Sequence, residues 1–279
     1  MQLIDSHLHI WSLDETAYPV GAAGPGSQAW DASIETLLGY LDRAGVERVV
    51  AITPRRYVLD QSYLLDSTRR FPDRVIPVPR AHADDPQTVA QLRGLAVGQG
   101  VRGIRLVWSQ NPSNDWPADP AVDPIWRACA ELGITIGFLT NPDQLPFIGE
   151  GARRHPEATV VIDHWGGVGA KDGPGFARFA ATEALASVPN IYLKATCFRR
   201  MSQQGFPFAD VHPLLRRALD AFGRERVMWG TDFGGGCKGG EEYGEEVAAV
   251  TEHLDWLSAE DKEWLLRRTA LAAWASSGS

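Results

Sequence analysis

The stretch Ile4-Asp5-Ser6-His7-Leu8-His9-Ile10-Trp11 places two imidazoles two residues apart, directly after a short apolar run. On a strand, alternate side chains share a face, so His7 and His9 point the same way. Two neutral ring nitrogens converging on one point can bind a divalent metal or grip a substrate oxygen. Alone, the pair equally suits a strand end with one packed and one solvated histidine. Two later stretches tilt the reading towards chemistry. Asp163-His164-Trp165-Gly166-Gly167 and Trp229-Gly230-Thr231-Asp232-Phe233-Gly234-Gly235 also close apolar runs. Hydrolysis of an ester-like bond needs a base for water and positive charge where the carbonyl oxygen becomes anionic. An aspartate, with an unperturbed pKa near ~4, is ionised at neutral pH; its modest basicity suits a lactone or activated ester better than an amide. Asp232 is therefore the candidate base, with His7, His9 and His164 around the reacting carbonyl. Each has a plain structural alternative, since Asp before glycines starts turns and a buried histidine can bond a carbonyl. All of them being incidental in this order is the weaker account.

Cations gather beside these residues. Arg55 and Arg56 follow the second apolar run, Arg80 ends the third, Arg105 lies inside the fourth with Trp108 at its end, and Lys194 lies in the seventh. A guanidinium can hold a carboxylate through two parallel hydrogen bonds, so Arg55, Arg80 and Arg105 are candidate substrate ligands. The competing reading has Arg56 solvated and Arg105 paired with an acidic neighbour. Trp108, with Trp11, Trp30, Trp116 and Trp165 near strand ends, can wall a ring-shaped substrate, although packing explains any single one. The Gly234-Gly235-Gly236 run reads as a flexible loop, fit for a phosphate cradle, a lid or mere slack.

The elements that must position these groups alternate without a break. Strands are expected at Leu3–Ser6, Arg48–Thr53, Val75–Arg80, Gly103–Trp108, Ile134–Leu139, Thr159–His164, Ile191–Thr196 and Val227–Asp232. Helices are expected at Asp31–Ala44, Asp60–Phe71, Asp84–Val97, Asp119–Leu132, Pro142–Arg154, Phe176–Ala186, Ala209–Phe222 and Glu241–Leu257. A last helix runs from a cap at Ser258 to about Ala275. Such alternation predicts an α/β fold, a single (β/α)8 TIM barrel with an additional C-terminal helix, over one domain spanning 1–279. A doubly wound open sheet is the runner-up, but no GxGxxG follows the first strand. In a barrel, chemistry gathers at the C-terminal strand ends, where all the candidates fall. The loop from Trp11 to Trp30 would sit over that mouth.

Composition narrows the partners. A net charge of −8 disfavours nucleic acid. The three cysteines, Cys129, Cys197 and Cys237, show no CxxC spacing, which fits a reducing cytoplasm better than a disulfide framework. No apolar run is long enough for a membrane span.

Taken together, DxHxHxW, DHxGG and GTDF resemble the amidohydrolase superfamily, in its amidohydrolase-related lactonase and decarboxylase branch, and are most similar to the sugar-lactone and pyrone-dicarboxylate lactonases. That resemblance implies roles: Asp232 takes a proton from water, and His164 is a ligand or transition-state stabiliser. The family's strand-five histidine is missing from Ile134–Asn141, and Arg105 replaces its strand-four lysine or glutamate. A binuclear centre is therefore not expected; one Zn2+ at His7, His9 and Asp232, or metal-independent catalysis, both stay open. The expected activity is opening of a small anionic or polyhydroxylated cyclic ester, by a monomer or homo-oligomer. A metal-dependent nonoxidative decarboxylase and a catalytically silent small-molecule-binding barrel are the alternatives.

Overall fold

The computed structural model describes residues 2–22, 24, 26, 28–109, 113–173 and 175–274. Its strands are β1 (Leu3–Leu8), β2 (Val46–Ile52), β3 (Val75–Val78), β4 (Arg80–His82), β5 (Gly103–Val107), β6 (Thr135–Phe138), β7 (Val160–Ile162), β8 (Ile191–Thr196) and β9 (Val227–Gly230). All pair in parallel, as β1-β2-β3 and as β4-β5-β6-β7-β8-β9. The expected strand Val75–Arg80 is divided at Pro79, which has no N–H for a ladder. The chain stays extended through it. Thr53 N donates to Val78 O on one side (3.2 Å), and Arg105 N donates to Pro79 O on the other (2.8 Å). The two sheets therefore meet along one segment. At the opposite side, Asp232 N donates to His7 O and His9 N to Phe233 O, both at 2.8 Å, so the chain leaving β9 lies against the end of β1.

Parallel strands covered on both faces should be largely apolar, and these are, apart from polar and charged side chains such as Asp5, Ser6, His7, Arg80, His82, Arg105 and Lys194. Ile4, Val50, Ile52, Ile76, Val78, Val161 and Met228 form one inner cluster with Ala270, Ala273 and Trp274, so side chains from both sheets share an interior. The larger cluster packs the outer strand faces against the helices.

Some helices stop where their glycine signals lie, and others do not. Ile34–Ala44 is capped by Ser33, whose side chain accepts from Thr36 N, and it ends at Gly45 with φ 69°. Asp123–Leu132 stops at Gly133. The helix expected to stop before Gly98 instead runs Thr88–Gln99 and ends at Gly100, whose left-handed backbone supplies the cap that Gly98 does not. Phe176–Ala186 resolves into short 3-10 and α turns around Ala180–Ala184. Glu241–Leu257 is shorter at its end, spanning Gly239–Thr251. Ser258 caps the final helical segment through a reciprocal pair with Asp261, as read from the sequence. That segment is described as far as Trp274, the expected end at about Ala275 lying outside the described residues, and the Trp274 ring lies so close beneath Gly103 that a Cβ there would sit 2.3 Å from it. It floors the N-terminal ends of β5 and β6, and Thr135 Oγ1 donates to Ala273 O there. Among the described residues no helix is long and apolar enough to cross a membrane.

Candidate active site

His7 lies within β1 and His9 just beyond it, while Asp163, His164 and Asp232 follow β7 and β9. These strand ends meet. His7 Nε2 and His9 Nε2 each lie 3.7 Å from Asp232 Oδ1. The His7 ring centroid is 5.3 Å from that of His9 and 4.4 Å from that of His164. His7, His9 and Asp232 are buried, His164 is half-buried, and the spatial juxtaposition expected from sequence is present.

Hydrogen bonds set what each ring offers. His9 Nδ1 lies 2.9 Å from Ile52 O, and a carbonyl only accepts, so Nδ1 carries the proton and Nε2 faces Asp232 as a lone pair. His164 Nδ1 is 2.7 Å from Thr196 Oγ1, and Arg105 Nη2 is 3.4 Å from His164 Nε2. Arginine only donates, so the His164 Nε2 lone pair faces a cation. His7 Nδ1 lies 3.2 Å from both Asp163 Oδ1 and Lys194 Nζ, whereas its Nε2 is buried without a hydrogen-bond partner. Burial first, then neighbouring cations, hold His9 down to about 3; His7 and His164 are likewise lowered, so all three rings are neutral.

Asp163 is the anchor that sequence reasoning placed only inside a motif. Its Oδ2 accepts from Arg105 Nε (2.9 Å), and its Oδ1 lies 3.3 Å from Lys194 Nζ. Burial alone would raise its carboxyl, but Lys194, His7 and Arg105 hold it well below the usual carboxylate range. Arg105 therefore has the acidic neighbour weighed for it. Lys194 is fully buried, its Nζ 4.7 Å from the Trp274 ring centroid, which joins the site to the floor. A lysine inside the apolar run Ile191–Thr196 was the available signal.

Asp232 behaves differently. Burial raises its carboxyl to about 7, against the opposing pull of Arg200, whose Nη1 lies 3.4 Å from Oδ2. Arg200 was not singled out from sequence. It is brought in by the turn Phe198–Met201, whose Phe198 and Arg199 N–H groups donate to buried Glu246. Asp5 fastens the other side: it accepts from His7 N (3.1 Å), Thr231 N (2.9 Å), Thr231 Oγ1 (2.6 Å) and Tyr243 OH (3.2 Å). His164 and Asp232 have left-handed backbones, with φ 50° and 54°. Such strain costs of order 1–3 kcal/mol per residue and persists where surrounding contacts over-determine it.

The glycine run after Asp232 packs directly onto its carboxylate. A Cβ on Gly235 would lie 2.3 Å from Asp232 Oδ1, and one on Gly236 would lie 3.0 Å from Oδ2. The absent side chains let the loop fold onto the carboxylate. Of the other candidates, Arg80 is the register partner of Arg105 on the adjacent strand, and Arg55 is exposed in a turn after β2. Trp108 is half-buried against Trp116, with ring centroids 5.4 Å apart. Arg56 is buried rather than solvated, bonding Gln28 O and pairing with Glu15. Trp11 and Trp165 are fully buried and so serve packing. The three cysteines are free and buried.

The donor set suits a metal ion. One ring nitrogen each of His7 and His9 and an Asp232 oxygen lie within 4.8 Å of one another. Tetrahedral ligands at zinc bond lengths stand about 3.3 Å apart, close to the 3.7 Å between Asp232 Oδ1 and His7 Nε2, which has no hydrogen-bond partner among the described residues.

The fold is an α/β scaffold of parallel strands with these side chains at the strand ends, and the amidohydrolase family profile matches residues 4–275. The chain belongs to the amidohydrolase family. It is 28% identical over 232 residues to a 4-sulfomuconolactone hydrolase of Rhizobium radiobacter, covering 82% of this chain and 74% of that protein. It is 29% identical over 235 residues to an L-fucono-1,5-lactonase of Burkholderia ambifaria, covering 82% and 79%. In fold it is similar to the structure of a candidate 2-pyrone-4,6-dicarboxylic acid hydrolase from Pseudomonas putida, with TM-score 0.80, 24% identity, and 100% and 99% coverage. An amidohydrolase structure from Burkholderia multivorans that holds zinc superposes with TM-score 0.75 at 24% identity, covering 99% and 100%.

Proposed function

We propose that this chain is a lactone hydrolase in which Asp232 is the general base. The observation that carries the reading is the Asp232 carboxylate, buried, with Oδ1 3.7 Å from two imidazole nitrogens. Water held there gives a proton to Asp232 as its oxygen adds to the lactone carbonyl carbon. The carbonyl oxygen becomes an oxyanion. Collapse breaks the ring C–O bond, and the leaving oxygen recovers the proton from Asp232. His9 presents a lone pair at Nε2, which suits accepting from the attacking water rather than donating to the oxyanion. The cationic donors at hand for the developing charge are Arg105 and Arg200, with His7 and His164 shaping the pocket.

A Zn2+ ion would be held by His7, His9 and Asp232, and when bound there it would polarise the carbonyl and acidify water. Arg55, Arg80, Arg105 and Trp108 are the proposed substrate ligands. Paired ends at β1 and β9, a shared extended segment at Pro79 and one inner cluster support a closed (β/α)8 barrel, in one domain over 1–279. Composition supports a cytoplasmic setting.

The test is a pH-indicator assay over a panel of lactones, run before and after chelation. Acid release by wild type and none by Asp232→Asn is expected. Equal acid release by both proteins removes Asp232 as the base.

A further inference from the structure

Among the described residues, nothing neutralises the charge of Arg80. It opens β4, half-buried, and its Nε is fully buried without a hydrogen-bond partner. The charges acting on it are the cations Arg105 and Arg55, and among the described residues no carboxylate acts on it. Burial, with those two cations, lowers the Arg80 guanidinium to about 10. Its neighbours differ. Arg105 has Asp163, and Arg56 has Glu15 and Gln28. Arg80 and Arg105 stand opposite each other in register, while Ala81 between Arg80 and His82 joins the outer core. Both guanidiniums thus share the inward face, where their charges also act on His9.

The surrounding balance points the same way. Beside Arg80, Arg105 and Lys194 share the one carboxylate of Asp163, and Arg200 pairs with Asp232, in a chain of net charge −8. An unpaired buried charge destabilises a fold, and a ligand of opposite sign recovers that cost. We propose that Arg80, flanked by Arg105 and Arg55, is a specificity subsite for an oxyanionic substituent of the substrate, a carboxylate or sulfonate separate from the reacting ring carbonyl. The enzyme then opens acidic lactones in preference to neutral sugar lactones. This rests on the lactone-hydrolase reading and names the substrate class for it.

The test compares 5-oxotetrahydrofuran-2-carboxylate, its sulfonate counterpart and its neutral 2-carboxamide. Each is measured with wild type, Arg80→Gln and Arg80→Lys. Wild type should favour the charged lactones in kcat/KM. In Arg80→Gln the charged-to-neutral ratio should fall roughly 10- to 100-fold, mainly through KM, and Arg80→Lys should restore part of it. The stronger of the two anions tells carboxylate from sulfonate. A second arm needs no turnover: isophthalate should bind wild type in calorimetry while isophthalamide does not, and Arg80→Gln should weaken isophthalate binding by the same factor. Equal treatment of charged and neutral compounds by wild type overturns the subsite, even if Arg80→Gln does not fold. So does an unchanged ratio in folded Arg80→Gln. Isophthalate binding lost in Arg80→Gln, with no lactone of any kind opened, keeps the anion site and removes the hydrolase reading instead.

Discussion

A carboxylate in water is a weak base at neutral pH, and Asp232 is strengthened by being taken out of water. Burial lifts it to about 7, while Arg200 on one oxygen keeps the rise from going further. A base matched to the working pH is the effective one. Asp232→Asn should lower kcat by at least about 100-fold while leaving binding of the acid product measurable by calorimetry. A loss under about threefold would contradict the assignment. At the candidate metal set, zinc titrated into metal-free protein should bind at one ion per chain, and His9→Ala should abolish that binding. Unchanged binding in His9→Ala would move the metal elsewhere. His7, His9 and Asp232 were legible as candidates because their types and strand-end positions declare their chemistry. Arg200 was not, because it reaches Asp232 only through the turn that begins at left-handed Cys197.

At the scale of elements, Glu246 holds that turn. Its carboxylate, on helix Gly239–Thr251, receives the N–H groups of Phe198 (3.0 Å) and Arg199 (2.6 Å). Burial, only partly opposed by those donors, raises it to about 8. The folded state thus keeps a proton that the unfolded chain releases near pH ~4.3, so this group's contribution is full below that value and is lost as pH rises through about 8. Differential thermal unfolding checks the sign: the Tm of Glu246→Gln minus that of wild type should rise between about pH 5 and 8. A constant difference would show that Glu246 does not titrate there. Strands were readable because parallel strands covered on both faces are runs of Val and Ile bounded by Gly, Pro or Asp. Helix ends were less so. Gly98 and Gly100 look alike in sequence, and only the backbone φ at Gly100 tells which one caps.

Across the whole molecule, the site and the floor are one packed unit. Trp274 closes the inner cluster from below and faces the Lys194 ammonium, whose other contacts are Asp163 and His7. Trp274→Ala should therefore cost about 3–5 kcal/mol in urea unfolding, the range for a buried tryptophan truncation. A cost below about 1 kcal/mol would mean that the C-terminal helix is not integral to the core. No local pattern announces this long-range contact. The partners of Trp274 lie on strands far earlier in the chain.

The most direct test of water attack assisted by Asp232 is isotopic. An acidic lactone opened in water enriched in oxygen-18 should yield a product with one heavy oxygen in its new carboxylate, at a rate set by the Asp232 side chain. Release of carbon dioxide, with a product that carries no label, would contradict it.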